Sequence, residues 1–176
     1  MYNTIKKQEL LRWYNLNIKI RNMPWRSTND PYKIWLSEIM LQQTQVKTVI
    51  PYYNKWIKKY PTLESVAKSN IDDLLKIWEG LGYYSRCRNF HKASIKVFEE
   101  YNSKIPEDFD QFKELPGVGE YTAGAVLSIA FGKKIPAIDT NILRVMSRIL
   151  GLKERSKSNL SKIKINMIDY LNTERP

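Results

Sequence analysis

FKELPGVGEYTAGAVLSIAFG, residues 112–132, is the stretch from which the fold of this chain is read. Leu115-Pro116-Gly117-Val118-Gly119 lies between FDQFKEL (109–115) and YTAGAVLSIAF (121–131). Both flanks carry apolar residues at helical spacing, so the five residues predict a tight turn between two helices. Outward from there the same spacing recurs. Leu10, Leu11, Tyr14 and Ile18 step by threes and fours near the N-terminus, and NILRVMSRIL (141–150) and LSKIKINMIDYL (160–171) do so near the other end. No stretch alternates with period two. The expected fold class is all-α, with nine or ten helices, no internal repeat and no low-complexity tract.

Local signals set several boundaries. Asp30-Pro31 is a helix start, with Asp at the cap and Pro at the first helical position. The following helix carries Ile34, Trp35, Glu38, Ile39 and Leu41. Val46 to Tyr60 is a second segment; its Pro51 marks either a helix start or a kink. Thr62 and Asn70 read as caps of the short segments LESVAKS and IDDLLKIWEGL. Ser85 to Tyr101 reads as one long amphipathic helix.

The turn at 115–119 also has a chemistry. A Gly-x-Gly hairpin entering a helix exposes backbone N–H groups beside the positive end of the helix dipole, which suits a phosphate. Gly is common in plain helix–helix turns as well, so the five residues alone do not choose. With its flanks the segment looks like a helix–hairpin–helix element, which grips a DNA backbone without reading sequence.

Composition agrees with a globular chain that meets a polyanion. The 176 residues are 43% hydrophobic and 27% charged, and 7 Gly and 8 Pro exclude collagen-like and Pro-rich disordered readings. No apolar run approaches the ~20 residues that span a bilayer. MYNTIKKQEL has no apolar core of a signal peptide. Cys87 is the one cysteine, too few for an internal disulfide or for a zinc or iron–sulfur site, and it points to a reducing compartment. The net charge is +11. Residues 1–60 hold 11 basic and 3 acidic side chains, residues 61–120 hold 8 and 11, and residues 121–176 hold 10 and 4. If the two basic ends meet, they form one basic face for nucleic acid. An AT-rich genome, which favours Lys, Asn and Ile, is the bland account of the same bias.

Two carboxylates stand out. Glu38 lies inside Trp35-Leu36-Ser37-Glu38-Ile39-Met40-Leu41, among residues that read as buried. Such a carboxylate serves either a structural ion pair or acid–base work at a raised pKa. Asp139, in Pro136-Ala137-Ile138-Asp139-Thr140-Asn141, stands where a helix N-cap would. His91, the only histidine, reads as a surface or packing residue, and Cys87 as a small buried one.

Met23-Pro24-Trp25-Arg26, DPYKIWLSEIMLQQTQVKTVIPYY (30–53), WEGLGYYSRCRN (78–89), LPGVGEYTAGAVLSIAFG (115–132) and AIDTNILRV (137–145) together resemble the helix–hairpin–helix DNA glycosylase superfamily, and within it the adenine DNA glycosylase (MutY) family. The segments match in order and spacing over nearly the whole chain. The resemblance implies a monofunctional enzyme that removes adenine mispaired with 8-oxoguanine or guanine in double-stranded DNA. By that resemblance Glu38 matches the catalytic acid, Asp139 the catalytic Asp and Asn141 its neighbouring active-site Asn. Tyr121 stands where endonuclease III-like bifunctional relatives carry a nucleophilic Lys, and a phenol forms no Schiff base. Gln43 matches the residue wedged where adenine leaves, and Tyr83 the wedge beside the oxidised guanine. Met23 and Arg26 match residues lining the adenine pocket, and Pro116, Gly117, Val118 and Gly119 match the DNA-gripping hairpin.

The resemblance further implies two helical lobes with the active site in the cleft between them. One would be a six-helix lobe over residues 23–134 containing the hairpin, and the other would combine residues 1–22 with 135–176. The family continues through a four-cysteine segment that ligates a [4Fe-4S] cluster and through a C-terminal domain that recognises oxidised guanine. This sequence stops at Glu174-Arg175-Pro176, so the expectation is no cofactor and no metal within it. The expected protein is a cytoplasmic monomer with no membrane partner, nucleoid-associated if bacterial. The alternatives are a thymine or uracil mismatch glycosylase, against which Glu38 within WLSEIMLQQTQV argues, and a shortened non-catalytic DNA-binding relative.

Overall fold

The computed structural model describes residues 2–17, 23–154 and 156–171. They form ten α-helices: α1 (Tyr2–Asn17), α2 (Pro31–Leu41), α3 (Val46–Lys59), α4 (Leu63–Ala67), α5 (Ile71–Trp78), α6 (Ser85–Glu100), α7 (Phe109–Lys113), α8 (Glu120–Phe131), α9 (Thr140–Ile149) and α10 (Lys157–Tyr170). A 3₁₀ turn, Pro24–Ser27, precedes α2. There is no strand among the described residues, and no helix there is long and apolar enough to cross a membrane. Ile18, expected on the first helix, lies outside the described residues.

Cap chemistry sets the boundaries. The Asp30 side chain accepts from the backbone N–H groups of Tyr32 and Lys33, and Pro31 follows at the first helical position. Thr62 and Ser65 form a reciprocal capping box on α4, and Asn70 accepts from the Asp72 N–H on α5. Residues 23–134 hold seven α-helices, where six were expected. The five-residue α4 and α7 are each started by their own cap, Thr62 and Asp108. Pro51 lies inside α3, which continues past it to Lys59.

The core gathers around α2, which is buried on almost every side, as its nearly continuous apolar sequence requires. Trp35 is fully buried with its ring edge-on to Phe90 (4.9 Å) and Phe112 (5.2 Å). Trp56 packs edge-on to Trp78 at 5.6 Å and donates its indole N–H to the Tyr32 hydroxyl at 3.0 Å. The Tyr32 hydroxyl in turn donates to the Tyr60 carbonyl at 2.6 Å, so the buried polar tips of Trp56 and Tyr32 are satisfied, while the Trp35 indole N–H has no partner. One cluster of buried side chains runs from Met23 to Leu127. Cys87 is fully buried in α6, and burial pushes its thiol up to about 12. His91 is half-buried on the same helix.

Helix α8 packs along α2. Its residues Thr122 to Ser128 are all buried, which a helix wedged between partners demands. Gly124 sits on this buried stretch. A Cβ built there would meet the Pro136 carbonyl oxygen at 3.0 Å and the Ala137 Cα at 3.3 Å. The missing side chain lets residues 136–137 run against α8, and that path carries the chain to Asp139.

Candidate active site

Glu38 sits in the last two turns of α2, half-buried between buried Ser37 and Ile39. Tyr121 is the second residue of α8, and Asp139 is the N-cap of α9. Three elements far apart in sequence therefore converge. The Tyr121 hydroxyl donates to the Glu38 carboxylate, and Asp139 lies close enough to act on both. Burial is the main force raising the Glu38 pKa; the Tyr121 hydrogen bond opposes it, and the charge of Asp139 adds to it. Burial also raises the Tyr121 phenol, followed by the nearby Glu38 charge. At the second carboxylate, Asp139 accepts from the Ile142 N–H at 2.7 Å and from the Asn141 side-chain amide at 2.9 Å. Both donors fix the orientation of the carboxylate.

The capping reading of Asp139 is thus correct, and the cap lies beside the buried Glu38. Such a pair, a carboxyl pushed toward the neutral form beside a second, hydrogen-bonded carboxylate, is an arrangement for acid–base work. Asn141 belongs to it through Asp139. A cleft of about 520 Å³ opens beside Asn141, and Arg144, Arg148 and Lys153 line it too.

The hairpin closes with the Val118 N–H donating to the Leu115 carbonyl at 3.0 Å. Gly117 has φ +78, and a Cβ there would lie 2.8 Å from the Asn89 Cβ, so this glycine is required by the turn. Gly119 is different. Its backbone is ordinary, a Cβ there meets nothing within 4 Å, and it starts α8 without a side-chain cap. Space and free helix N–H groups coincide there, as a phosphate needs. Gly119→Val should therefore weaken binding to every duplex alike, by about tenfold or more, since a hydrogen bond to a charged group is worth roughly 1.5–3 kcal/mol. Gly117→Ala should instead lower the melting temperature. Binding titrations on matched and mismatched duplexes, beside thermal melts, check both; a loss confined to one mismatch contradicts the phosphate role.

Gln43 and Tyr83 both lie outside the carboxylate cluster, in the loops after α2 and α5. Both are exposed, Tyr83 at 57%, and both have left-handed backbones, φ 55 and 49. Each such non-glycine residue costs about 1–2 kcal/mol, a strain that clusters at functional sites. Met23 is buried in the core, and the exposed Arg26 holds its guanidinium 5.7 Å from the Tyr14 ring centroid of α1. Sequence reasoning missed Gly124, although a lone Gly inside an apolar helix is a recognised signal of close packing. It also missed Arg86, whose burial nothing local announces.

Among the described residues no group of three or more His, Cys, Asp or Glu is placed to hold a metal ion. One buried thiol, Cys87, cannot ligate a four-cysteine cluster. The given sequence does not supply the four thiolates of that group.

Hairpin, paired carboxylates and tyrosine together have the form of a helix–hairpin–helix DNA repair site. Residues 36–166 match the HhH-GPD superfamily of base excision DNA repair proteins, and the chain belongs to that family. It is similar to the adenine DNA glycosylase of Buchnera aphidicola subsp. Schizaphis graminum (strain Sg): 42% identity over 145 residues, 82% of this chain and 42% of that protein. Its fold is similar to a thermostable thymine-DNA glycosylase, with TM-score 0.87 and 29% identity over 97% of this chain and 79% of that one. Endonuclease III trapped as a covalent intermediate on DNA is similar at TM-score 0.71 and 25% identity, over 96% of this chain and 79% of that one. The chain spans 42–49% of the length of the first three curated relatives it matches.

Proposed function

We propose that this chain carries the catalytic machinery of a monofunctional DNA glycosylase that excises adenine mispaired with 8-oxoguanine or guanine in base excision repair. The observation that carries the reading is the Glu38–Tyr121–Asp139 convergence: a carboxyl raised by burial, held by a phenol, beside a second carboxylate oriented by two donors.

The chemistry follows from those environments. A stacked base is out of reach, so it is flipped out at a cost of roughly a few kcal/mol. Gln43 and Tyr83 fill the gap from two pre-strained loops, and Met23 and Arg26 border the extruded adenine. Protonated Glu38 donates to a ring nitrogen, which turns adenine into a leaving group. The C1′–N bond breaks with its electrons going to the base, and the sugar becomes oxocarbenium-like. Ionised Asp139, oriented by Asn141, stabilises that charge. Water attacks C1′ while Glu38, now a carboxylate, accepts its proton. The hairpin 116–119 and the basic ends hold phosphates through counterion release, so affinity falls steeply with salt. The site lies in a cleft between a lobe of residues 23–134 and one formed by the two flanks. The protein acts as a monomer in a reducing compartment, the cytoplasm in a bacterium.

Tyr121 makes the enzyme monofunctional. Borohydride should trap no covalent adduct between the protein and adenine-mismatch DNA, because a phenol forms no imine. Efficient trapping would contradict the assignment.

The second reading, a thymine or uracil mismatch glycosylase, draws on the fold likeness to the thymine enzyme. Single-turnover base release from A·8-oxoguanine, A·G, T·G and U·G duplexes separates the two. Free adenine from the first pair, without thymine or uracil from the others, is the expected result. Thymine or uracil release replaces the adenine reading, and binding without release of any base leaves the non-catalytic one.

A further inference from the structure

Arg86 is the one buried charged side chain among the described residues, 9% exposed. It stands at the start of α6, between the two loops that carry Gln43 and Tyr83. Its Nη1 donates to the carbonyls of Ile39 (3.0 Å), Met40 (2.8 Å) and Gln42 (2.5 Å), at the carboxyl end of α2. Its Nη2 donates to the Thr44 hydroxyl (3.2 Å) and to the carbonyls of Leu81 (3.4 Å) and Gly82 (3.1 Å). The guanidinium also lies 5.5 Å from the Trp78 ring centroid and 5.3 Å from that of Tyr83.

The identity of the acceptors matters. The Gln42 carbonyl belongs to the peptide group entering Gln43, and the Gly82 carbonyl to the one entering Tyr83. Both of these residues are exposed and have left-handed backbones, at φ 55 and 49. One rigid fork therefore grips the peptide preceding each of them. A plain cap of α2 needs the first three contacts only. Lysine supplies no planar fork that spans both loops.

We propose that Arg86 is a positioning residue for base extrusion, which locks Gln43 and Tyr83 into one preset pair so that they enter the DNA stack together. This rests on the reading of those two side chains as wedges. Loops already held in the bound conformation spend no ordering entropy when the duplex is opened.

The test uses the intact protein and a duplex with 2-aminopurine at the target position, whose fluorescence rises on unstacking whether or not chemistry follows. Arg86→Lys should slow that rise by about tenfold on a paired duplex. It should change affinity by less than about threefold on a duplex with the target opposite an abasic analogue, where no pairing opposes extrusion. Gln43→Ala and Tyr83→Ala should show the same pattern, and they report on the wedge reading separately. If those two extrude normally, the wedge reading fails and the Arg86 proposal falls with it. If they are slow and Arg86→Lys is not, the Arg86 proposal alone is overturned. Equal losses on both duplexes for Arg86→Lys reduce Arg86 to a fold-supporting cap and also overturn it. Should Arg86→Lys fail to fold, Thr44→Val, which removes one Nη2 acceptor, should slow the same rise by about twofold to fivefold; an unchanged rise overturns the proposal.

Discussion

Glu38→Gln should lower single-turnover adenine release by about 10²–10⁴-fold while leaving mismatch affinity largely intact. The amide keeps the shape of the carboxyl and its carbonyl still accepts from Tyr121, but it cannot supply the proton that makes adenine leave. The same substitution separates catalysis from architecture. Burial raises the Glu38 pKa in the folded state, so its contribution to stability is present at low pH and lost as pH rises through the raised value. Above that value the wild-type protein carries the cost of a buried charge that Gln does not. Glu38→Gln should therefore melt at the same or a higher temperature than wild type near neutral pH. A purely structural Glu38 gives the opposite pair of results, a lower melting temperature with normal turnover per folded molecule.

Asp139→Asn should cost a comparable factor, because the anion beside the developing sugar cation is lost. This variant is clean for a reason specific to the site. Asn caps helices as well as Asp does, so the bond from the Ile142 N–H and the start of α9 survive the change. What disappears is the charge, together with the bond from the Asn141 amide, which the new side-chain NH2 cannot accept. If Asp139 were a cap and nothing more, Asp139→Asn would be nearly silent in both stability and rate. The double variant Glu38→Gln/Asp139→Asn should be little worse than either single one, since both groups serve one transition state. Rapid-quench release from an A·8-oxoguanine duplex, with thermal melts beside it, reads all three proteins.

Most of the fold was legible because its signals are local. Asp30, Thr62 and Asn70 were readable as caps from residue type and the apolar run that follows each. All-α followed from spacing, and the buried surroundings of Glu38 followed from the apolar residues flanking it. The remainder depends on tertiary packing. Pro51 lies inside α3 and not at its start. Gln43 and Tyr83 hold left-handed backbones that non-glycine residues do not advertise. Arg86 is one of 29 basic side chains, and only the meeting of two distant loops singles it out. Gly124 shows its purpose only once residues 136–137 lie against it.

The proton held at Glu38 is the centre of the account, and the pH dependence of single-turnover adenine release tests it most directly. In the wild-type protein the rate should fall as pH rises through the raised Glu38 pKa, above the usual carboxylate range, and in Glu38→Gln that limb should vanish along with most of the rate. A wild-type rate that stays flat across that range, or a Glu38→Gln protein that keeps both rate and limb, would contradict it.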